Sequence, residues 1–194
     1  MPDIPLAPKN GYDPIAFDSL QRADIIVSTT SRTGSTVIRG VTGSEVSHAM
    51  LYIGNWQVIE SIIPDGVVVR SINEALSDAR LAVALRYRNL SLAKRDQIVD
   101  FANSKIGSEY DYVGAASSGL QAETPITCYG VACFIRPSYF IKPNFPDKYF
   151  CSELILEAFN YAGCPFTQMD DGPPQDIVTA YENGKLDYVG HLLG

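Results

Sequence analysis

Three residues of this 194-residue chain have the types and contexts that nucleophilic acyl chemistry needs: His48, Glu60 and Cys151. The choice is narrow, because the chain has only two histidines and four cysteines. His191 lies near the C-terminus, where fraying is common, and His48 opens an apolar, strand-like run. A lone histidine on a strand is more often structural than chemical. Two other residues argue for chemistry at His48. Glu60 follows twelve residues later, across a turn signalled by Gly54-Asn55. Strand side chains alternate faces, so an odd-length loop centred near Gly54 puts Glu60 on the His48 face. Directly paired residues then have Cβ atoms about 5 Å apart. A two-residue Gly-Asn loop instead turns Glu60 to the opposite face. In the first register the carboxylate can hold the imidazole in one tautomer and stabilise its charged form.

Cys151 begins a helical pattern within Tyr149-Phe150-Cys151-Ser152-Glu153-Leu154. At a helix N-terminus a cysteine meets unpaired backbone N–H groups and the positive end of the helix dipole. Both favour the thiolate, which is the nucleophile. The same N–H groups can bind a developing oxyanion. Taken alone, Cys151 also reads as a small buried hydrophobe. The other cysteines lack this context. Cys128 and Cys133 are five apart, which suits neither the CxxC redox spacing nor a common zinc knuckle, and a disulfide between them stays open. Cys164 follows the helix-ending Gly163 and reads as structural. No metal site and no cofactor are expected. Glycine-rich phosphate loops and the GxSxG serine-hydrolase elbow are both missing.

The elements that must position these residues are legible in outline. Residues 1–22 form an irregular lead-in punctuated by Pro2, Pro5, Pro8, Gly11 and Pro14. Strand-like runs follow at 24–28, 48–53, 57–62, 66–72 and 81–87, with a Ser/Thr/Gly-rich loop at 29–44 and Pro64-Asp65-Gly66 as a turn. Ser91 can cap a helix that runs to about residue 105 and closes at Gly107. A second helix runs from Cys151 to about residue 162, with Cys151, Ile155, Ala158 and Ala162 on one face. Residues 113–148 have no clear period and read as an irregular excursion. The expectation is a single α+β domain over 1–194, an antiparallel sheet or barrel of about five to six strands packed against helices.

Composition bounds the function. Fifteen Lys plus Arg against 22 Asp plus Glu give a net charge of −7, which disfavours nucleic acid as a partner. The chain is 46% hydrophobic and 19% charged, as in a packed globule. No run of about 18 apolar residues is present, so no integral membrane segment is expected. The first ten residues lack a basic-then-apolar pattern, so no secretory signal peptide is expected either.

Five segments resemble one known group, the permuted NlpC/P60 hydrolases of the YiiX/YaeF type. Ser47-His48-Ala49-Met50-Leu51-Tyr52-Ile53-Gly54 is similar to that group's histidine strand. Phe150-Cys151-Ser152-Glu153-Leu154-Ile155 is similar to its nucleophile helix. Asp24-Ile25-Ile26 resembles its opening strand, with Ala23 where glycine is usual. Gly107 through Tyr112 resembles its G-x-x-Y-D-Y element, and Pro174-Gln175-Asp176-Ile177 a downstream P-x-D segment. The resemblance spans roughly residues 23–178. It implies a circularly permuted papain-like fold in which the His-bearing strands precede the Cys-bearing helix. Carried over residue by residue, it implies Cys151 as nucleophile, His48 as general base and Glu60 as the residue that orients His48. Tyr52, on the His48 strand face, is either a wall of the site or a core aromatic. Ser152, beside the nucleophile, is a candidate substrate contact. Tyr110 and Asp111 read as bracing residues.

The function so implied is a cysteine amidase or endopeptidase acting on peptidoglycan stem peptides. Without a signal peptide, the expected setting is a chain cytoplasmic in its producer. A signal-independent secretion apparatus would then deliver it to a target periplasm as an antibacterial effector, with an immunity protein as a further partner. One alternative is a lipid-directed thiol hydrolase or acyltransferase resembling the lecithin:retinol acyltransferase branch. Against it, that branch usually carries Asn-Cys-Glu-His at its nucleophile and often a membrane anchor. The other alternative is a catalytically silent binding module.

Overall fold

The computed structural model describes residues 15–30, 46–112, 114–115, 126–128, 131–133, 147–168 and 172–192, the two short segments at 126–133 as backbone only. Among the described residues, ten strands and four α-helices have defined bounds, in chain order. The first strands are β1 (Ile25–Thr30), β2 (His48–Gly54), β3 (Gln57–Ile62) and β4 (Gly66–Ser71). A one-turn helix α1 (Ile72–Ala75) leads to β5 (Ala79–Tyr87) and α2 (Leu92–Ser104). Then come β6 (Glu109–Tyr110), β7 (Ile126–Cys128), β8 (Val131–Cys133) and β9 (Lys148–Tyr149). Helices α3 (Cys151–Tyr161) and α4 (Pro174–Glu182) and strand β10 (Leu186–His191) complete the chain.

Six strands form one antiparallel sheet in the order β10-β5-β1-β2-β3-β4. The sheet is open, with β10 and β4 at its edges among the described residues. Alternation along each strand divides the core in two. Ile25, Val27, Ala49, Leu51, Ile59, Val83 and Leu85 pack with Ile98, Leu154, Ala158, Phe159 and Ile177 from α2, α3 and α4. The intervening residues Ile26, Met50, Tyr52, Val58, Ala82 and Ala84 pack with Leu20, Ile72, Leu76 and Leu192 on the other face. A sheet covered on both faces accounts for the near-continuous apolar runs in β1, β2 and β5.

The expected strands correspond to β1–β5 within a few residues, and the two expected helices to α2 and α3. Three differences matter. The run read as strand to residue 72 stops at Ser71, whose side chain accepts from the Glu74 amide and starts α1. The C-terminal strand β10, which continues the sheet beyond β5, was not anticipated. His191 is therefore buried, its Nδ1 bonded to the Tyr188 hydroxyl at 2.5 Å, instead of lying on a frayed end. The third is the stretch read as an irregular excursion, which contains an antiparallel pair of short strands, β7 and β8. In that pair Cys128 registers with Val131 and Cys133 with Ile126; the cysteine side chains, and with them the question of a disulfide, lie outside the described residues. Residues 1–14 of the lead-in also lie outside.

Two local devices set the geometry near His48. Asn55 and Trp56 form a two-residue turn with φ of 52° and 60°. That turn aligns Gly54 with Gln57, a register that would put Glu60 across from Leu51 and away from the His48 face. A bulge between Tyr52 and Gly54 adds one residue to β2, so Leu51 pairs with Ile59 instead. Continued, that register places Glu60 across from Met50, diagonal to His48 and on its face. At the other end of β3, Gly66 starts β4 with φ of +72°, and a Cβ there would sit 2.0 Å from the Ser108 carbonyl oxygen. Only glycine admits this approach, which lets the Val67 amide donate to Ser108 at 2.9 Å.

Candidate active site

Cys151 is the first residue of α3 and is buried. Hydrogen bonds to the backbone just before it help fix its place. Strand β9 immediately before it pairs in parallel with β6, Tyr149 beside Tyr110. The Tyr149 carbonyl accepts from the Ser61 hydroxyl at 2.6 Å and from the Asp111 amide at 3.1 Å. The helix start is closed by the Glu153 carboxylate, which accepts from the Phe150 amide at 3.3 Å. Ser61 is the neighbour of Glu60 on β3, so one strand carries both the carboxylate and the tie that holds the cysteine's approach.

His48, the first residue of β2, meets both partners expected for it. Its Nε2 donates to Glu60 Oε2 at 2.6 Å. It also interacts with the Cys151 side chain. Burial pushes the His48 imidazolium toward the neutral form, but the bonds to Cys151 and Glu60 outweigh it and raise the pKa from 6.5 to about 10. The Glu60 side chain is 1% exposed. Burial pushes its carboxyl up, yet His48 and the Arg70 guanidinium together hold it below the usual carboxylate range. The result is a charged imidazole held between Cys151 and an ionised carboxylate. A thiol and imidazole that share a proton in this way form the reactive ion pair of cysteine acyl transfer.

The structure thus brings together Cys151, His48 and Glu60. It places the two candidate substrate contacts differently. Tyr52 is four residues along β2 from His48, roughly 13 Å at strand rise. It is buried in the second core, and its hydroxyl accepts from the Trp56 amide at 3.3 Å. Ser152 is fully buried and its hydroxyl donates to the Gly172 carbonyl at 2.7 Å, tying α3 to the segment before α4. Both hydroxyls are engaged by the fold.

Sequence reasoning missed two neighbours. Arg70 Nη1 donates to Glu60 Oε1 at 3.0 Å. Tyr110, read as a brace, is also a neighbour of the thiol. Burial, the charge at Cys151 and the charge at Asp111 all push its phenol up, so it stays neutral. The only advance signal for Arg70 was a charged residue ending the apolar run Gly66-Val67-Val68-Val69. Among the described residues no three His, Cys, Asp or Glu side chains are grouped to hold a metal ion.

Comparison with known proteins gives a consistent pattern. Residues 19–118 match the sequence model of a family described as permuted papain-like amidase enzyme, YaeF/YiiX, C92 family. The matched stretch contains His48, Glu60 and Arg70, and Cys151 lies beyond it. The chain is 28% identical over 205 residues to the probable lipoprotein peptidase YaeF of Escherichia coli (strain K12), spanning 92% of this chain and 73% of that one. The crystal structure of metalloprotein yiiX from Escherichia coli O157:H7 matches with a TM-score of 0.51, over 74% of this chain and 67% of that chain. At 18% identity this second likeness is one of fold. No described helix is long and apolar enough to cross a membrane.

Proposed function

The chain belongs to the permuted papain-like amidase family, YaeF/YiiX, and on that premise we propose that it is a cysteine hydrolase of amide bonds using Cys151, His48 and Glu60. The observation that carries this reading is His48 bonded to Glu60 at 2.6 Å while it interacts with Cys151. In the proposed reaction one proton is shared by the Cys151–His48 pair; it rests on His48 while the sulfur attacks the carbonyl carbon. The C=O π electrons move to oxygen, where the Cys151 backbone N–H receives the developing charge. The oxyanion collapses, the C–N bond breaks, and the His48 imidazolium gives its proton to the departing amine. An acyl-thioester remains. His48 then takes a proton from water, whose oxygen attacks the thioester; the C–S bond breaks and the carboxylic acid leaves, with the Cys151–His48 pair again holding one proton. Glu60 keeps the imidazole oriented through the cycle and stabilises its charged form whenever His48 holds the proton.

The substrate class we propose is the amide bond of peptidoglycan stem peptides. Its support is the family resemblance and the peptidase named for the YaeF relative. The corresponding setting is the periplasm, reached in a producer's rival if the chain serves as an antibacterial effector. Incubating purified muropeptides with wild type and Cys151→Ala, followed by mass analysis, tests the bond. Fragments formed by wild type alone support the reading. For the setting, the chain is expressed with and without a periplasmic export signal. Toxicity only with export, abolished by Cys151→Ala, supports it. Harmlessness in both compartments, with no release of fragments from sacculi, overturns it.

A further inference from the structure

The Glu60 carboxylate has two oxygens and gives each to a different partner. Oε2 accepts from His48 at 2.6 Å and Oε1 accepts from Arg70 at 3.0 Å. With its side chain 1% exposed, Glu60 has almost no water to take the place of either. Arg70 stands on β4 in register with Val58, and Glu60 on β3 with Val68, so the two side chains meet diagonally on one face. The arginine is itself held. Its Nη2 donates to the Glu74 carbonyl at 2.8 Å, on the one-turn helix that immediately follows β4. That helix is fixed by a reciprocal cap in which the Glu74 carboxylate accepts from the Ser71 amide at 3.1 Å and the Glu74 amide donates to Ser71 Oγ at 3.3 Å.

We propose that Arg70 is a positioning residue of the site, clamping one oxygen of Glu60 so that the other is presented to His48. The guanidinium fork suits this role, because one nitrogen reaches the carboxylate while another reaches the helix carbonyl. A lysine supplies the charge but not the two-point bridge. The inference rests on the reading of Cys151, His48 and Glu60 proposed above, and it adds a fourth residue with no contact to substrate. The charged groups that bear on Glu60 are His48 from β2 and Arg70 from β4. Behind them, Cys151 of α3 bears on His48, Glu74 of α1 on Arg70, and Tyr110 of β6 on Cys151.

The chain offers its own control, since it has two histidines and His191 lies on β10, bonded to Tyr188. Full-length protein labelled with ¹⁵N in histidine is titrated from acid by NMR, following the ring nitrogens of His48 as Glu60 gains a proton. In Arg70→Gln the acid midpoint seen at His48 rises by about one pH unit or more, the lower end of what a lost arginine partner does to a carboxylate. Arg70→Lys shifts it by less than half as much, and His191 is unmoved in both. If the Gln variant does not fold, the Lys variant carries the test, with a rise of at least about 0.3 pH unit expected, some twofold in proton affinity. A folded variant whose His48 titration superimposes on wild type overturns the proposal, as does an equal shift at His191. Failure of the catalytic reading would appear elsewhere, as iodoacetamide alkylation of Cys151 that His48→Ala does not slow.

Discussion

Replacing Glu60 with Gln keeps the side chain's size and removes the charge that faces His48 and Arg70. The His48 pKa stands at about 10 instead of 6.5. At 1.36 kcal/mol per pH unit, that difference is about 5 kcal/mol of preference for the imidazolium in the folded state. Burial opposes it, and Cys151 and Glu60 together supply it; a hydrogen bond to a charged group, worth about 2 kcal/mol, sets the scale of what Glu60 contributes. The sign fixes the pH window. A raised histidine pKa stabilises the fold fully below 6.5 and loses that contribution as pH rises to about 10. A lowered carboxyl pKa stabilises above the unfolded value near 4.5 and is lost as pH falls through the folded value. The two overlap most between pH 5 and 6.5. Denaturant unfolding of wild type and Glu60→Gln should therefore differ most there, by about 3 kcal/mol, the low end for breaking a buried ion pair. The difference should shrink by about 2 kcal/mol by pH 10.5, where only the Arg70 contact is still lost. A difference that stays flat across this range, or grows with pH, refutes the electrostatic account of the site.

Three further substitutions separate scaffold from chemistry. Gly66→Ala puts a methyl 2.0 Å from the Ser108 oxygen at a φ of +72°, so a loss of about 2 kcal/mol or more is expected by thermal or denaturant unfolding. Ser152→Ala and Tyr52→Phe each remove a hydroxyl bonded within the fold, and each should cost about 1 kcal/mol of stability. Neither should change kcat/KM on a peptide amide more than about threefold; a rise in KM alone for either variant would restore it as a substrate contact.

Much of the sheet could be read from residue order because its strands are short apolar runs separated by Gly, Pro and Asn. The pairing of His48 with Glu60 was harder, since its parity depended on one residue. The Asn55-Trp56 turn by itself gives the wrong face, and the bulge before Gly54 restores the right one. Ala23 shows the same kind of local cost. It holds a φ of 67°, which explains why glycine is usual there in the resembling group, and it is fully buried ahead of Asp24. Arg70 was not legible, because its role arises from the β3–β4 register and from a helix too short to give a periodic signal. Strand β10 was not legible either. Its run Leu186-Asp187-Tyr188-Val189-Gly190-His191 is half polar and joins the sheet across a bulge.

The arrangement also gives a physical reason why permutation is tolerated. The acid–base half of the candidate site, His48, Glu60 and Arg70, comes from three consecutive antiparallel strands joined by short turns. Its geometry is set by hairpin register and by α1, with β1 paired along β2 and the Ser108 carbonyl bonded to Val67 as further supports. The nucleophile half is the start of α3, and its position is set by β9 pairing with β6 and by the cap at Phe150. Near the thiol, the two halves meet through a few cross-contacts, His48 with Cys151 and Ser61 with the Tyr149 carbonyl among them. The contacts within and between the halves depend on where the elements lie and not on which comes first in the chain. Reversing the order of histidine and cysteine relative to papain moves only the connections between halves. The cost of such a change falls on loop closure, which grows slowly with length, and not on the geometry at the sulfur.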